Sequence, residues 1–418
     1  MEYIKSQDIF LLMRDVLKLI HPRLIEHGSR VAYMVYKMLE DRGGYEEFEL
    51  ADIVMLVTLH DIGAYKTEAG SINDILRYET KDYMAHSIYG YLFFKYLSPI
   101  KDFARVLMYH HTDYEQLLRV NYEHKELAAY INIAEKMDIY SAAMGPQFDM
   151  LMFHKQAGAK LSKEGLEQFY QSAKKHDFFT KLKNGDYKKE LAEIIDYMIF
   201  SNEDKRQFLE MLMYCTGFCN EYSVVDTITT ICICEEIAER MLMSDDDKER
   251  LYYGALIHDI GMITIPRTIV DAPRKLTPEE ITLLRTHVEV ARKVLEGRMQ
   301  KRVVDIALAH HERGDGSGYP GKLRDFQMNQ QQRILQVADT VAGLTNERSY
   351  RQPLPKEKVI VILNEEVAKN KMNSHVVRTF IKSYDEIMKR VQIQSADIMR
   401  MYQTLNSQYD QISNRFKI

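Results

Sequence analysis

The chain has 418 residues, of which 46% are hydrophobic and 28% are charged, and its formal net charge is −5. This composition supports packed cores, and the length favours two domains over one. Mild acidity with interspersed charges argues against a surface for long nucleic acid, although it is compatible with a small anionic ligand. No uncharged run of about 18 residues occurs, so we expect a cytoplasmic protein without a membrane segment.

Apolar residues recur at spacings of three and four along most of the chain, which predicts an all-α fold. The polar segment 201–207 indicates a linker or helix junction, so we place the first domain at residues 1–200 and the second at 201–385. Within the second domain, Thr277 and Glu280 form a predicted capping box at a helix start, with Pro278 in the first turn.

The last segment, residues 386–418, is predicted to form an amphipathic C-terminal helix. Val391, Ile398 and Leu405 recur every seven residues there, which is typical of a helix that packs against a partner. The partner is either the chain's own domain or a second copy, in a homodimer formed through this helix.

Histidine and acidic residues recur in the same order in the two halves of the chain, which indicates an internal duplication. Upstream of each series, at a similar interval, the first half has His27 and the second has Asp226. The first series comprises His60, Asp61, His86, His110, His111 and Asp138. The second series comprises His258, Asp259, His287, His310, His311 and Asp339.

Such a set of imidazoles and carboxylates on separate helices can hold two divalent ions. A single His-Asp pair is common and carries little information, whereas an ordered series that occurs twice indicates metal binding. Two adjacent ions suit in-line attack on a phosphorus ester, because they lower the pKa of water and neutralise charge on the phosphoryl oxygens. The pattern therefore predicts a phosphomonoester or phosphodiester hydrolase without naming its substrate.

The segment HHERGDGSGYPGKL, residues 310–323, is preceded by HDIG and followed by QVADTVAGLTNERSYR. Together these motifs resemble the HD-GYP branch of the HD-domain phosphohydrolases. The resemblance covers roughly residues 221–351, and its GSGYP loop is highly specific. The first half resembles an HD domain without that loop, so we expect two tandem HD-type helical domains followed by the C-terminal helix.

The resemblance implies two divalent ions, iron or manganese, at each active HD site and a cyclic dinucleotide as substrate, with cyclic di-GMP as the first expectation. The second series would supply the metal ligands of the second half, and His258 and Asp259 would be catalytic. The substrate wall would be shaped by Gly318, Tyr319 and Pro320. Arg348 and Arg351 would contact phosphate, a role that suits guanidinium donors. The structural alternative is that these arginines cap a helix or pair with acids.

Two positions depart from the family pattern. Met262 stands where the family has a lysine after HDIG, and a thioether cannot donate a proton to a leaving oxygen. Losing such an assisting group costs on the order of 10²- to 10⁴-fold in rate. Asp226 adds a negative charge where the first half has His27. Three hypotheses follow: a hydrolase in the second half, a hydrolase in the first half, or a weakly active or inactive cyclic-dinucleotide receptor.

Overall fold

The computed structural model describes residues 2–67, 83–219, 221–347 and 351–416. In these ranges the chain forms α-helices, short 3-10 helices and isolated bridges but no β-strand, which confirms the all-α prediction. None of the helices found there is both long and apolar enough to cross a membrane.

The helices before residue 200 are α1 (Ser6–Ile20), α2 (Pro22–Arg42), α3 (Glu47–Thr58), α4 (Ala64–Thr67), α5 (Tyr83–Leu97), α6 (Ala104–Tyr109), α7 (Tyr114–Leu117), α8 (Lys125–Met144), α9 (Lys163–His176), α10 (Phe178–Asn184) and α11 (Tyr187–Ile195). The later helices are α12 (Asn202–Cys219), α13 (Glu221–Arg240), α14 (Asp245–Ile257), α15 (Arg267–Val270), α16 (Pro278–Leu295), α17 (Lys301–Ala307), α18 (Gln330–Thr345), α19 (Lys356–Ala368), α20 (Ser374–Lys382) and α21 (Tyr384–Phe416).

The chain divides into two compact units, each of which is discontinuous in sequence. The first unit combines Met13–Phe208 with Leu405–Ile418, and the second unit combines Met1–Leu12 with Leu209–Thr404. The sequence-based division at residues 200 and 385 did not include this exchange of terminal segments.

The two units repeat the same helix packing. In the first unit α2 packs against α3 and α8, and in the second unit α13 packs against α14 and α18. In each unit a helix that begins about 20 residues after the HDIG motif packs beside it. In the first unit α5 packs on α4, which directly follows HDIG, and in the second unit α16 packs on the 3-10 helix Ile260–Thr264, which begins within HDIG. The duplication of residues in the sequence is therefore also a duplication of structure.

Helix α16 begins at the predicted capping box. The Thr277 hydroxyl accepts the backbone N–H of Glu280 at 3.3 Å, and the Glu280 carboxylate accepts the backbone N–H of Thr277 at 2.8 Å. These bonds satisfy donors that a helix start leaves without intrahelical partners. They confirm the predicted start and fix His287 on the third turn.

The C-terminal helix α21 packs within its own chain. Val391, Ile398 and Leu405 are about 4–5% exposed. In the first unit, Leu405 packs with Ile88 of α5, and the ring of Tyr409 stacks on Tyr89 of α5 at 4.2 Å between ring centres. Because the heptad residues are buried within one chain, a homodimer through them stays a prediction that would need this face to be released.

Candidate metal centres

Two groups of ligand-capable side chains meet in the first unit and share Asp61. In each group the ligand atoms all lie within 4.8 Å of one another. Because Asp61 has two carboxylate oxygens and belongs to both groups, it can bridge two ions. One group comprises Asp61, His86, His110 and His111. The other group comprises His27, His60, Asp61 and Glu135. We call the residues of these two groups together the first cluster.

Helix ends and close helix packing bring these residues together. His60 and Asp61 follow the end of α3, and His110 follows the end of α6, whereas His86 lies inside α5. The HDIG glycine, Gly63, makes the close approach between the motif and α5 feasible. A Cβ at Gly63 would lie 2.0 Å from the carbonyl oxygen of His86, so a larger residue would push α5 away.

Hydrogen bonds at Nδ1 fix the orientation of the imidazole rings. Nδ1 of His60 donates to the Val57 carbonyl at 2.7 Å, and Nδ1 of His110 donates to the Leu107 carbonyl at 2.6 Å. Since a carbonyl oxygen can only accept, Nδ1 carries a proton, and Nε2 is the nitrogen that faces the cluster and can bind an ion once it is unprotonated. This is the tautomer that a metal ligand requires.

The buried atoms of the first cluster fit divalent ions. In the described part of the chain, Nε2 of His27, His60 and His110 and both carboxylate oxygens of Glu135 have no hydrogen-bond partner. Leaving so many buried polar atoms without partners would be costly for a folded protein. Ions that accept these lone pairs would remove that cost, and nitrogen and carboxylate donors suit iron, manganese or zinc.

One predicted ligand of the first unit, Asp138, lies outside the first cluster. Asp138 accepts from His27 Nδ1 at 2.7 Å and from the Arg30 guanidinium at 2.6 and 2.8 Å, so both of its oxygens are hydrogen-bonded, and Asp138 belongs to neither ligand group. Burial alone would raise the pKa of Asp138, but these two partners lower it. Asp138 therefore orients the ring of His27 and is not a ligand in this arrangement.

The carboxylate that joins the first cluster is Glu135, which the sequence-based assignment missed. Its oxygens lie 3.8 Å from His60 Nε2 and 3.2 Å from His111 Nδ1. A signal was available in the sequence, because IAEKM around Glu135 corresponds to VADTV around Asp339. The GYP loop lengthens the second half between the His-His pair and this acid, so matching by interval alone selected Asp138.

The second unit gathers the equivalent residues into a second cluster. These residues are His258, Asp259, His287, His310, His311 and Asp339. Asp259 oxygens lie 3.4 Å from His258 Nε2 and 3.5 Å from both His287 and His310 Nε2. Asp339 lies 3.9 Å from His258 Nε2 and 3.6 Å from His311 Nδ1, which matches the position of Glu135 in the first unit.

The same ring orientation recurs in the second cluster. Nδ1 of His258, His287 and His310 donates to the carbonyl three residues earlier, at 2.7, 2.6 and 2.7 Å. Gly261 repeats the close approach of Gly63, since a Cβ there would lie 1.9 Å from the His287 carbonyl oxygen. The predicted ligands of the second half are thus brought together in the form that binds a divalent ion.

Burial keeps most of these imidazoles neutral. It lowers the pKa of His310 to about 3 and that of His86 to about 4, and neighbouring imidazoles add to the effect. At His60 burial acts in the same direction, but the carboxylates of Asp61 and Glu135 outweigh it and raise the pKa to about 9. Neutral imidazoles are the form that coordinates metals, so protons compete weakly at most of these rings.

The two clusters differ in their access to solvent. The Asp61 side chain is 10% exposed and that of Glu135 is 1% exposed. In the second unit the side chains of Asp259 and Asp339 are 24% and 20% exposed. Asp226, which replaces His27, accepts from the Asn346 side chain at 2.7 Å.

A cleft of about 770 Å³ leads to the second cluster. Its lining includes Asp259, His287, His311 and Asp339, together with Asp226 and Met262. This volume lies in the range of ordinary small-molecule sites. The cleft gives a ligand direct access to the second cluster.

The predicted GYP loop is held beside His311. The Tyr319 ring lies 4.8 Å from the His311 ring, and the Tyr319 backbone N–H donates to the His311 carbonyl at 3.2 Å. Pro320 follows through a cis peptide bond. The guanidinium of Arg285, on α16, covers the Tyr319 ring at 4.9 Å. Gly318 packs so closely that a Cβ would lie 2.3 Å from the Arg313 backbone nitrogen.

Of the two arginines predicted to contact phosphate, Arg351 belongs to the described residues. Arg348 lies outside the described residues. Arg351 donates to the carbonyl oxygens of Gly343 and Leu344 at the end of α18. It thereby satisfies carbonyl groups that a helix end leaves without partners. Its phosphate contact stays a prediction that would require the side chain to leave this position.

Residues 24–211 match a family described as HD domain, and residues 204–376 match a second HD domain family, HD_5. The 3'3'-cGAMP-specific phosphodiesterase 1 of Vibrio cholerae is 26% identical over 86% of this chain and 87% of its own length. A cyclic di-GMP phosphodiesterase of Thermotoga maritima is 35% identical over 36% of this chain and 42% of its own length.

A solved structure shares the overall fold. The crystal structure of a Vibrio cholerae phosphodiesterase described as specific for cyclic GMP-AMP aligns with a TM-score of 0.58 and 15% identity. The alignment covers 92% of this chain and 98% of the other. Both halves of the molecule thus have counterparts in known proteins, and the chain belongs to the HD-domain family, with an HD domain and an HD-GYP domain in tandem.

Proposed function

We propose that the second unit hydrolyses a cyclic dinucleotide in a metal-dependent reaction. The observation that carries this proposal is the cleft of about 770 Å³ that ends at Asp259, His287, His311 and Asp339. It combines room for a nucleotide-sized ligand with acidic and imidazole ligands for divalent ions. Similarity to phosphodiesterases named for cyclic di-GMP and 3'3'-cGAMP supports the same reaction class.

The ligand geometry supports the chemistry of phosphodiester cleavage. Iron or manganese bound here would supply a hydroxide nucleophile and neutralise charge on the phosphoryl oxygens. Asp259 lies within 3.5 Å of three imidazole nitrogens and is placed to hold two ions together. Water would attack phosphorus, the bond from phosphorus to the 3′ oxygen would break, and that oxygen would take up a proton. The product is a linear dinucleotide.

Two substrates follow from different observations. The GYP loop resembles that of cyclic di-GMP phosphodiesterases, which makes cyclic di-GMP the first expectation. The Vibrio cholerae relative that matches most of this chain is named for 3'3'-cGAMP, which makes that dinucleotide the second. Met262 lines the cleft and offers no acidic proton, so in either case the leaving oxygen would take its proton from solvent.

In this proposal the first unit binds ions without performing the reaction. Its cluster has complete ligand groups, but the side chains of Asp61 and Glu135 are enclosed, at 10% and 1% exposure. An enclosed cluster suits a stabilising or regulatory metal site better than a substrate site.

The test compares equivalent carboxylates in the two units. Full-length protein is purified without oxygen, supplied with manganese or iron, and assayed by chromatography with cyclic di-GMP and with 3'3'-cGAMP. We expect Asp259→Asn to lower turnover by at least about 100-fold, because this residue lies among the ligands of both ions. Asp61→Asn should retain most activity, as should the control Asp102→Asn at an exposed position of the first unit.

Other outcomes would select the alternative hypotheses. Loss of activity in Asp61→Asn alone would place the hydrolase in the first unit. Binding of a cyclic dinucleotide by wild type without turnover would identify a receptor.

A further inference from the structure

The cleft of the second unit has an apolar side that the metal ligands do not explain. Beyond the second cluster it is lined by Ile269, Val270, Ala272, Pro273, Leu276 and Leu284. Ile269 and Val270 lie in α15 and Leu284 lies on α16, and the other three residues belong to the segment between these helices. A flat aromatic ring can bury its faces against such a surface, whereas a phosphate would lose hydration there. This side suits a nucleobase.

Two basic residues, Arg274 and Lys275, lie at the edge of this apolar side. They are neighbours in sequence, but their charges are used differently. Both terminal nitrogens of Arg274 donate to the Glu280 carboxylate at 2.7 Å, in the two-point pairing typical of arginine. The charge of Arg274 is therefore balanced by an acid that also caps α16.

The charge of Lys275 is not balanced in this way. Among the described residues Lys275 has no ion pair, and its exposed side chain lines the cleft. An ammonium group on a flexible stem is suited to binding a phosphate as a point charge. The cleft thus offers metal ligands at one end, an apolar side, and one uncommitted cation at its edge.

We infer that Lys275 binds the second phosphate of a cyclic dinucleotide, the one that is not being hydrolysed, while the apolar side receives a base. The inference rests on the proposed function of the second unit. A cyclic dinucleotide carries two phosphodiesters on opposite sides of its ring, so only one can lie at the second cluster at a time. The other remains near the cleft edge and needs a positive partner.

The experiment compares Lys275→Met with Arg274→Met in the full-length protein supplied with manganese. The two variants remove the same charge from adjacent exposed positions. Each is assayed with the cyclic dinucleotide that wild type hydrolyses and with bis(p-nitrophenyl) phosphate, which has a single phosphodiester. The comparison separates loss of a specific phosphate contact from a general change of charge or folding.

We expect Lys275→Met to raise KM for the cyclic dinucleotide about fivefold, with kcat within about twofold, because an exposed cation–phosphate pair contributes modestly to binding. KM for bis(p-nitrophenyl) phosphate should not change. Arg274→Met should change either KM by less than about twofold, and Lys275→Arg should restore the wild-type KM. An unchanged KM for the cyclic dinucleotide in Lys275→Met would overturn the inference.

Failure of the proposed function has a separate signature. If wild type hydrolyses neither dinucleotide, the dissociation constants of both are measured with the same variants. Fivefold weaker binding in Lys275→Met would then uphold the phosphate contact in a protein that is a receptor. Equal binding by the variants, or no binding by wild type, would refute it.

Discussion

The first and second clusters share their ligand geometry but differ in enclosure. In both, a carboxylate after a helix end lies among imidazoles whose Nδ1 atoms donate to backbone carbonyls. Glu135 is enclosed at 1% exposure, whereas its counterpart Asp339 is 20% exposed and lines a cleft. The comparison teaches that one duplicated framework provides ion-ligand groups in both units, and that the ligands of the second unit are the more accessible to solvent.

The supporting residues differ as well. In the first unit, Asp138 and Arg30 fix the ring of His27. In the second unit, the equivalent position is Asp226, which pairs with Asn346. The first cluster therefore has an additional oriented imidazole, whereas the second has an additional carboxylate facing the cleft. We expect the first cluster to hold its ions more tightly.

The largest expected effect separates Glu135, the inferred ligand of the first cluster, from Asp138, the residue inferred to support it. Glu135→Gln should lose at least one ion from the first unit, because Glu135 lies among the ligand atoms of one group. Asp138→Asn should weaken metal binding by roughly 10- to 100-fold, as expected for a residue that only orients a ligand. Metal content and manganese affinity of the full chain provide the measurement.

Asp339→Asn is the matched control, since it changes the equivalent acid of the second unit and should leave the first unit's ions in place. If Asp138→Asn releases an ion while Glu135→Gln retains the wild-type content, the assignment of these two acids is reversed.

A smaller effect concerns acid stability of the metal-free protein. Burial lowers the folded-state pKa of His310 to about 3 and of His86 to about 4, whereas an unfolded imidazole titrates near 6.5. Below about pH 6.5 the unfolded state thus binds more protons, and the free energy of unfolding should decrease as pH falls toward 5. Each such ring contributes up to roughly 1.4 kcal/mol per pH unit.

Denaturant unfolding of chelator-treated protein at several pH values measures this slope. His310→Gln removes one of the rings, so the free energy of unfolding should change less steeply with pH. The expected difference is up to about 1.4 kcal/mol per pH unit, which corresponds to one proton. A metal-free protein that becomes more stable between pH 6.5 and pH 5 would contradict the prediction.

His60 has the opposite effect, because its folded-state pKa is raised to about 9. The charged ring stabilises the folded protein at low pH, and this stabilisation is lost as pH rises from about 6.5 to 9.

The smallest expected effect lies at Arg285, which covers Tyr319 in the second unit at 4.9 Å. The equivalent residue of the first unit is Met84, which packs in an apolar cluster beside Ile88. A cation–aromatic contact at a partly exposed position contributes about 0.5–1 kcal/mol, so Arg285→Leu should lower kcat/KM about two- to fivefold. Arg285→Lys should recover part of the loss, and wild-type kcat/KM in Arg285→Leu would exclude a positioning role.

Sequence reasoning predicted most of the fold and the clusters because their signals are local or repeated. Helical spacing, the capping box of α16 and the repeated His-Asp series each needed only neighbouring residues or a comparison of the two halves. The same reasoning failed at Asp138, where two acids one helical turn apart lie on α8. The match of IAEKM to VADTV was the available signal for Glu135. Packing agrees with it, because Glu135 lies beside His60 and His111, whereas Asp138 pairs with His27 and Arg30.

Longer-range features could not be predicted from the sequence. Arg351 matched a phosphate-binding motif, yet its donors reach the end of α18, a choice that depends on the path of the chain between them. The exchange of terminal segments between the two compact units depends on where Met1–Leu12 and the end of α21 pack. Heptad spacing predicted that α21 needs a partner and did not specify which surface supplies it.

The histidine rings also cap the C-terminal ends of helices. Four of the carbonyl groups that accept from Nδ1 lie in the last turn of a helix, where the backbone has no intrahelical donor left. They belong to Val57, Leu107, Ala255 and Ala307. An ion that holds Nε2 therefore also holds the last turn of α3, α6, α14 or α17 closed. Metal loading should be visible as slowed amide hydrogen exchange at these four helix ends, distributed over both units of the chain.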